Sequence, residues 1–458
     1  MRATVIGRTS SLLRAAAAFG ALAISASLPS TASANDLVPS VSLQTGFTFA
    51  RTPGNDTNDY FVAITPQLLY FVEAERTLLT LSYAFTGSLN TVLPNGVANR
   101  LGMLMSYDVA PKTRLILGAD ALQSLIGNYL LVRGAGARQF GQLPPLNTSL
   151  LTVSATQGMS HELSPTVNLS QSLNATYVTS LDPDVDLRNY LAAGTVGIDR
   201  SFEFDAVGGE LTLQYARSFL PPLPARNIMT LSLGPTWDHD ISRTLSMSLG
   251  AFAQLVLSPD PGSTAQIGPA GRASFLYASQ GSGVGLEYAA GIEPNILLGT
   301  LLQSHQVTAR AFTPLSERHN VVLGAGGGFL HGKSVDLGET GAFDNSFDAI
   351  LHDADVTWVA TDFLTLSLRY QFIGQTSGSG IGSAATPALV RHGAVLAAEL
   401  FASRPVARAR LPQGRFPQRV DRGDAVQGRP GGSPGGASSG SGSGSGSAGG
   451  SGGGGGSK

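Results

Sequence analysis

From Val41 onward, apolar residues recur at every second position, which is the period of a β-strand with two different faces. Leu364–Phe372 has leucine or an aromatic residue at every second position and mainly polar residues between them, and Val167–Thr179 and Thr244–Val256 repeat the pattern. One apolar face and one face of small polar residues indicate a wall with lipid outside and water inside. Strands of soluble β-sandwiches also alternate apolar and polar residues. The lengths of the links between the strands are therefore needed to distinguish the two folds.

About eighteen such segments of roughly 10–13 residues follow one another, and this is the length that a tilted membrane strand needs. The links after even-numbered segments are brief, as in Glu73–Arg76, whereas several links after odd-numbered segments are long, as in Leu125–Thr148. Short periplasmic turns and longer extracellular loops are typical of outer-membrane barrels. The predicted fold is therefore all-β, a single antiparallel transmembrane β-barrel over residues 35–401 with about 18 strands, 16 being the alternative.

Aromatic residues mark the short-turn ends of the even-numbered segments. Rings concentrate at one level where a membrane meets water, because an amphipathic ring prefers that boundary. A sandwich core would instead place its aromatic residues near the strand middles. The predicted aromatic girdle consists of Phe71, Tyr107, Phe202, Trp237, Tyr277, Phe312, Trp358 and Phe401.

With these features the chain resembles the general porin-like β-barrels of Gram-negative outer membranes. The resemblance covers Val41–Phe401 and is one of architecture, without a motif specific to one family. It implies a wide, water-filled pore surrounded by outer-membrane lipid and lipopolysaccharide. It also implies insertion by the barrel assembly machinery, which recognises a terminal aromatic residue that Phe401 resembles, although 57 residues follow Phe401 here.

The N-terminus has the three-part order of a secretory signal peptide. Met1–Arg14 is basic, Ala15–Leu28 is apolar, and Ala32-Ser33-Ala34 is a cleavage site of small residues. The apolar stretch is too short to cross a bilayer as a helix. We expect residues 1–34 to be removed after Ala34 and the mature chain to reach the cell outer membrane.

Charge is sparse and unevenly distributed. Of 29 bases and 31 acids in the chain, residues 1–34 hold three arginines, and residues 402–458 hold eight bases and two acids, which leaves 18 bases and 29 acids in residues 35–401. An acidic body makes nucleic acid an improbable partner. The tail is Pro/Arg-rich over Ala402–Arg429 and almost wholly Gly and Ser over Gly431–Ser457. It is predicted to be disordered in the periplasm, either as a passive extension or as a tether to peptidoglycan.

No motif in the sequence predicts catalysis, a cofactor or a metal site. There is no cysteine and no HExxH helix motif. Gly158–Glu162 lacks the second glycine of a nucleophile elbow, and Asp182, Asp184 and Asp186 are not followed by the glycine and glutamate of a calcium loop. The prediction is a protein that is not an enzyme and carries no cofactor.

The long link Leu125–Thr148 lies where general porins have a loop that folds inward and narrows the pore. Arg133 and Arg138 are its only charged residues. If it enters the barrel, these arginines would face acids on the wall and set up a transverse field. The alternative is a surface loop or an extended hairpin. The wall candidates are Asp108, Asp120, Glu287, Glu293, Asp353 and Asp355.

The predicted function is passive diffusion of small hydrophilic solutes through an outer-membrane pore. A barrel this wide encloses water unless a plug fills it. The first alternative is a non-conducting structural or adhesion barrel, tethered to the cell wall by its basic tail. The second is an outer-membrane enzyme that hydrolyses lipid or peptide.

Overall fold

The structure, a computed structural model, describes most of residues 35–402. The described ranges are 35–52, 55–74, 76–92, 95–125, 149–182, 186–219, 226–259, 265–279, 281–295, 300–316, 320–335, 346–376 and 388–402. The predicted signal peptide and most of the predicted tail lie outside them.

Eighteen strands follow one another along the described chain. They are β1 Asn35–Thr52, β2 Asn55–Ala74, β3 Thr77–Asn90, β4 Gly96–Ala110, β5 Thr113–Leu125, β6 Ser149–Ser164, β7 Val167–Ser180, β8 Arg188–Ser201, β9 Asp205–Phe219, β10 Arg226–Asp240, β11 Leu245–Leu257, β12 Gln266–Ser279, β13 Ser282–Asn295, β14 Thr300–Pro314, β15 Val321–Val335, β16 Ser346–Val359, β17 Leu364–Gln375 and β18 Leu389–Phe401. Within the described ranges no helix is long and apolar enough to cross a membrane.

Each strand pairs with its neighbours in sequence, and the first strand pairs with the last. The seam between β1 and β18 is antiparallel and runs from Ser40 opposite Phe401 to Arg51 opposite Val390. This pairing closes the sheet into a barrel, so the predicted all-β fold and the predicted count of 18 strands are confirmed. The first strand begins at Asn35, six residues before its predicted start.

The two ends of the barrel differ in the length of their links. Links after even-numbered strands run from two residues, as at 111–112, to six at 315–320. Those after odd-numbered strands run from two residues at 53–54 to 23 residues at 126–148. We call these the short-turn end and the loop end. The chain enters β1 and leaves β18 at the short-turn end.

Alternation assigns each side chain to an exterior or an interior face. In β1, Leu43 and Phe47 are exposed, whereas Val38, Ser40 and Thr48 on the other face are buried. Paired residues on neighbouring strands share a face, so the register extends this assignment around the barrel. Large apolar side chains are exposed all around the exterior, the reverse of a soluble protein and the arrangement that a lipid environment selects.

Exterior aromatic residues lie near both ends of the wall. At the short-turn end Tyr107, Phe202, Trp237, Tyr277 and Trp358 are exposed. Nearer the loop end, the exposed rings are those of Tyr60, Tyr177 and Tyr190. An apolar band between two aromatic belts is the exterior pattern typical of a transmembrane β-barrel.

Trp237 shows how an interfacial ring is fixed. Its indole nitrogen donates to Oδ1 of Asp205 at 2.8 Å, and Nδ1 of His239 lies 2.9 Å from the same oxygen. All three residues lie on the exterior near the link between β8 and β9 or at the end of β10. The ring thus presents an apolar face outward while its polar edge has a partner.

Three of the eight predicted girdle residues lie on the interior face, so that part of the prediction needs correction. Phe401 is 7% exposed and packs with Val38 and Leu69, and Phe71 packs against the same cluster. Phe312 lies opposite Gly283, where a Cβ would come within 2.5 Å of its ring. Each phenylalanine is one position out of phase with the exterior residues of its strand, which places it at the expected level but on the other face.

Candidate functional site: the interior of the barrel

The interior face is lined mainly by small polar side chains. Buried polar residues there include Thr176, Asn189, Thr195, Thr212, Gln214 and Thr230. The hydroxyl oxygens of Thr195 and Thr212 lie 3.0 Å apart across β8 and β9. Such a wall suits water and hydrated solutes rather than lipid.

At the loop end the hairpin of β13 and β14 leaves the wall and bends into the interior. β13 pairs with β12 only from Ser282 to Ala290, while its pairing with β14 continues to Asn295. Gln254 of β11 reaches the released backbone: its Oε1 accepts from the Ile292 nitrogen at 2.7 Å, and its Nε2 donates to the Ile292 oxygen at 2.8 Å. A glutamine two strands away thus satisfies backbone groups that β12 no longer pairs.

The bent part, which we call the inward hairpin (described residues 291–295 and 300–302), is held by apolar packing. Ile292 is 6% exposed and Leu301 is 3% exposed. Both belong to one buried cluster with Leu191, Ala216, Ile228 and Val256 on β8 to β11. Burying an isoleucine or leucine side chain contributes roughly 1.5–3 kcal/mol each, so the hairpin is anchored rather than loosely placed.

A second apolar cluster continues this lining from β14 to β17. Its members are Leu302, Leu330, Phe347, Ala349, Leu351 and Ile373. All of them lie on the interior face, and all are buried. The interior is therefore narrowed at the loop end by apolar packing along this side of the wall.

At mid-height the interior carries a bidentate ion pair that spans two strands. The guanidinium of Arg272 on β12 donates to both carboxylate oxygens of Glu210 on β9, at 3.0 and 2.8 Å. Gly234 and Gly250 occupy the corresponding positions of β10 and β11, so no side chain blocks the reach. The guanidinium also lies 5.1 Å from the centre of the Phe252 ring. The pair lies flat on the wall, with side-chain exposures of 16% and 8%.

Two of the predicted wall acids also pair with arginines of the wall. Asp120 accepts from Nε of Arg100 at 2.9 Å, and Asp108 accepts from Nε of Arg114 at 2.8 Å. The first pair lies at mid-height and the second near the short-turn end. The basic partners of these two acids are therefore on neighbouring strands, whereas the sequence analysis predicted partners in a loop.

The other predicted wall acids are spread along the interior. Asp353 reaches over Gly326, where a Cβ would lie 2.6 Å from its Oδ1, and Asp355 is paired in register with Arg369. Glu287 is opposite Thr308, and Glu293 lies on the inward hairpin. These acids do not converge on one point. Arg133 and Arg138, with the rest of 126–148, lie outside the described residues.

Five acids share one position on the interior face near the short-turn end, and we call these five the acidic mouth. Each stands two residues before the end of an even-numbered strand. Arg114 pairs with Asp108, and Lys112 lies 3.8 Å from Glu162. Their side chains are half-buried or buried. The five are Asp108, Glu162, Asp199, Asp238 and Glu399.

All six histidines in the described ranges fall on the exterior face. His305 lies 3.0 Å from the hydroxyl of Tyr288, and His331 lies 2.7 Å from Asp348. The remaining four are His161, His239, His352 and His392. Within the described residues, no group of three histidine or acidic side chains could hold a metal ion. A hydrolase site in the interior would have no histidine base among these residues.

Sequence reasoning missed the inward hairpin and the Arg272–Glu210 pair. The available signal for the hairpin was the consecutive pair Leu301-Leu302, which breaks the alternation of apolar and polar residues. For the ion pair, alternation places both residues on one face but says nothing of a contact across two intervening strands.

Comparison with known proteins gives similarity at the level of structure only. No protein-family model matches the chain. No curated protein matches it. Pseudomonas aeruginosa OccK2 (OpdF), solved in complex with glucuronate, aligns with a TM-score of 0.43 and 11% identity over 80% of this chain and 98% of that chain. P. aeruginosa OpdO gives 0.41, 12%, 80% and 97%, and Acinetobacter baumannii OccAB3 gives 0.40, 11%, 80% and 99%.

Proposed function

We propose that this protein is an outer-membrane channel for passive diffusion of small hydrophilic solutes. The observation that supports this most directly is the closed 18-stranded wall, with lipid-type side chains outside and polar ones inside. A barrel of this strand number has room for an aqueous path even with an inward hairpin. The surrounding partners would be membrane lipid and lipopolysaccharide, with the short-turn end on the periplasmic side.

The interior charge supports a preference for cations. Acids outnumber bases among the described interior residues, and rings of acidic side chains favour cation passage. The interior acids are Asp59, Asp108, Asp120, Glu162, Asp199, Glu210, Asp238, Asp240, Glu287, Glu293, Asp353, Asp355 and Glu399. The interior bases are Arg100, Arg114, Arg272, Arg310, Arg369 and Arg391.

The test is single-channel recording of the refolded mature protein in a planar bilayer. We expect discrete current steps that grow with salt concentration, and a reversal potential in a KCl gradient that shows K⁺ passing more readily than Cl⁻. A correctly folded barrel that carries no current would overturn the channel and favour the structural, tail-tethered barrel. A reversal potential favouring Cl⁻ would overturn the cation preference alone.

A further inference from the structure

The exterior face of the described strands carries four arginines, and one of them has no partner among the described residues. The other three have an acid or an aromatic ring beside them, in the pairs Arg51–Asp56, Arg188–Asp186 and Arg200–Phe202. Arg217 of β9 is exposed and forms no hydrogen bond or ion pair with the described residues. Its guanidinium is therefore available to a ligand that approaches from the membrane.

Arg217 lies in a row of polar side chains that crosses four strands at the loop end. Tyr177, Tyr190, Arg217 and Asn227 are register partners in turn, from β7 to β10. The centre of the Tyr215 ring lies 6.3 Å from that of Tyr190, and its hydroxyl donates to Oδ1 of Asn227 at 2.9 Å. With the neighbouring arginine of β8, these residues form what we call the tyrosine–arginine patch, which consists of Tyr177, Arg188, Tyr190, Tyr215, Arg217 and Asn227.

The patch lies at the far edge of the apolar exterior. Val207, on the same strand as Arg217, is opposite Trp237 at the short-turn end, and Arg217 follows ten residues later. Ten residues of a strand tilted by about 40° rise about 25 Å along the barrel axis, which is the height of the apolar band of outer-membrane barrels. The exterior side chains between these two residues are uncharged. Arg217 therefore lies at the level of the lipid head groups on the loop side.

The orientation of the barrel identifies the leaflet that this patch faces. With the long loops extracellular, the loop end lies in the outer leaflet, where the lipid is lipopolysaccharide. The lipid A part of lipopolysaccharide carries phosphate groups on a disaccharide. A guanidinium can donate two parallel hydrogen bonds to one phosphate, and an interfacial tyrosine combines an apolar ring with a hydroxyl donor. The patch thus complements a phosphorylated sugar in both charge and shape.

We propose that the tyrosine–arginine patch binds the phosphorylated head group of lipopolysaccharide. Arg217 would donate to a lipid A phosphate, and the tyrosine rings would pack against the sugar. Arg188, whose side chain is 62% exposed, would add a second guanidinium, which Asp186 neutralises only in part. Towards the middle of the membrane, Ala192 and Gly194 are small exterior residues of β8, so an acyl chain of the same lipid can approach the wall. This inference goes beyond the proposed function, because it holds whether or not the barrel conducts.

The test measures binding of purified lipid A to the mature protein in detergent by native mass spectrometry. Divalent ions are removed beforehand, so that none can bridge a phosphate to an acid such as Asp186. We expect Arg217→Gln to bind lipid A at least about tenfold more weakly than the natural chain, because it loses charge-assisted hydrogen bonds. Arg188→Gln combined with Arg217→Gln should bind more weakly still. Arg217→Lys keeps the charge without the fork geometry and should recover part of the affinity.

The matched control is Arg200→Gln. Arg200 lies on the exterior of the same strand as Arg188, but at the short-turn end, in the opposite leaflet. We expect this variant to bind lipid A like the natural chain. Lipid A from which both phosphates have been removed should bind equally weakly to the natural chain and to Arg217→Gln.

The outcomes also separate this site from the channel. Equal affinity of the natural chain and the double variant for lipid A would overturn the site, and so would an equal loss in Arg200→Gln. Tighter binding of phosphatidylglycerol than of lipid A would assign the patch to a phospholipid and overturn the proposal. Circular dichroism checks that each variant is folded, and the single-channel conductance of Arg217→Gln should equal that of the natural chain. A silent natural chain that still binds lipid A through Arg217 would leave the lipid site standing and overturn only the channel.

Discussion

The two ends of the barrel interior obey one alternation rule and yet present opposite chemistry. At the loop end, interior positions hold leucine, isoleucine and phenylalanine, and the inward hairpin packs on them. At the short-turn end, interior positions hold five acids beside three phenylalanines. The comparison shows that the wall can restrict a pore in two ways. At the loop end it does so with packed apolar side chains, and at the short-turn end with charge.

The first experiment tests the assignment of side chains to the exterior and interior faces, on which the comparison of the two ends depends. Leu233 lies at the middle of β10, 59% exposed on the exterior, and Ser232 next to it faces the interior. Leu233→Arg should destabilise the barrel in lipid by about 2–4 kcal/mol, because it puts a charge at the bilayer midplane. Urea titration of folding into vesicles measures this. Ser232→Arg is the matched control and should cost far less; equal costs would contradict the assignment.

The second concerns the loop end. Ile292→Asp places a carboxylate in the cluster formed by Leu191, Ile228 and Val256, where burying it unpaired would cost several kcal/mol. The inward hairpin should therefore leave its docked position, and single-channel conductance should rise. Ile292→Leu keeps the volume and should conduct like the natural protein. Unchanged conductance in Ile292→Asp would show that the narrowest section lies elsewhere.

The third concerns the level between the two ends. Arg272→Gln removes a positive charge and Glu210→Gln a negative one from the same bidentate pair. The reversal potential in a KCl gradient should shift toward stronger cation preference in the first and weaker in the second. The double variant should be more stable than Arg272→Gln alone, because Arg272→Gln leaves the buried carboxylate of Glu210 without its partner. Shifts of one sign in both single variants would contradict a role through lumen charge.

The smallest effect is expected at the acidic mouth. Asp199→Asn or Asp238→Asn removes one of five acids at a water-filled opening, where salt screens each charge. Cation preference should fall slightly in 0.1 M KCl and be unchanged in 1 M KCl. A change in either variant as large as that of Glu210→Gln would place the selective section at the mouth instead of at mid-height.

The sequence alone was sufficient to predict the strands that form the barrel wall. Alternation in segments such as Leu364–Phe372 predicted about eighteen strands. The predicted segments that begin at Val167, Thr244 and Leu364 start within one residue of β7, β11 and β17. The physical reason is that a strand with lipid on one side and water on the other repeats a strong period-two signal. The same alternation places His352 and Asp353 on opposite faces of β16.

The interior contacts could not be predicted in the same way. Phe71, Phe312 and Phe401 were assigned to the girdle by their level along the strand. The face on which each ring lies depends instead on the odd or even position of the residue in its strand, and a shift by one residue leaves the overall alternation unchanged. The inward hairpin depends on a contact between Gln254 and Ile292, 38 residues apart. A tertiary contact of this kind produces no periodic pattern in the sequence. The predicted constriction by 126–148 stays a prediction.

The seam between β1 and β18 has a consequence for how the chain acquires its shape. Ser40 and Glu399, which meet across it, are 359 residues apart, so closure is the least local step that the sheet can make. Until β18 is in place, both edges of the growing sheet expose unpaired backbone groups, and each edge fits the other. Removing β18 would therefore leave an open, association-prone sheet instead of a barrel with one strand fewer.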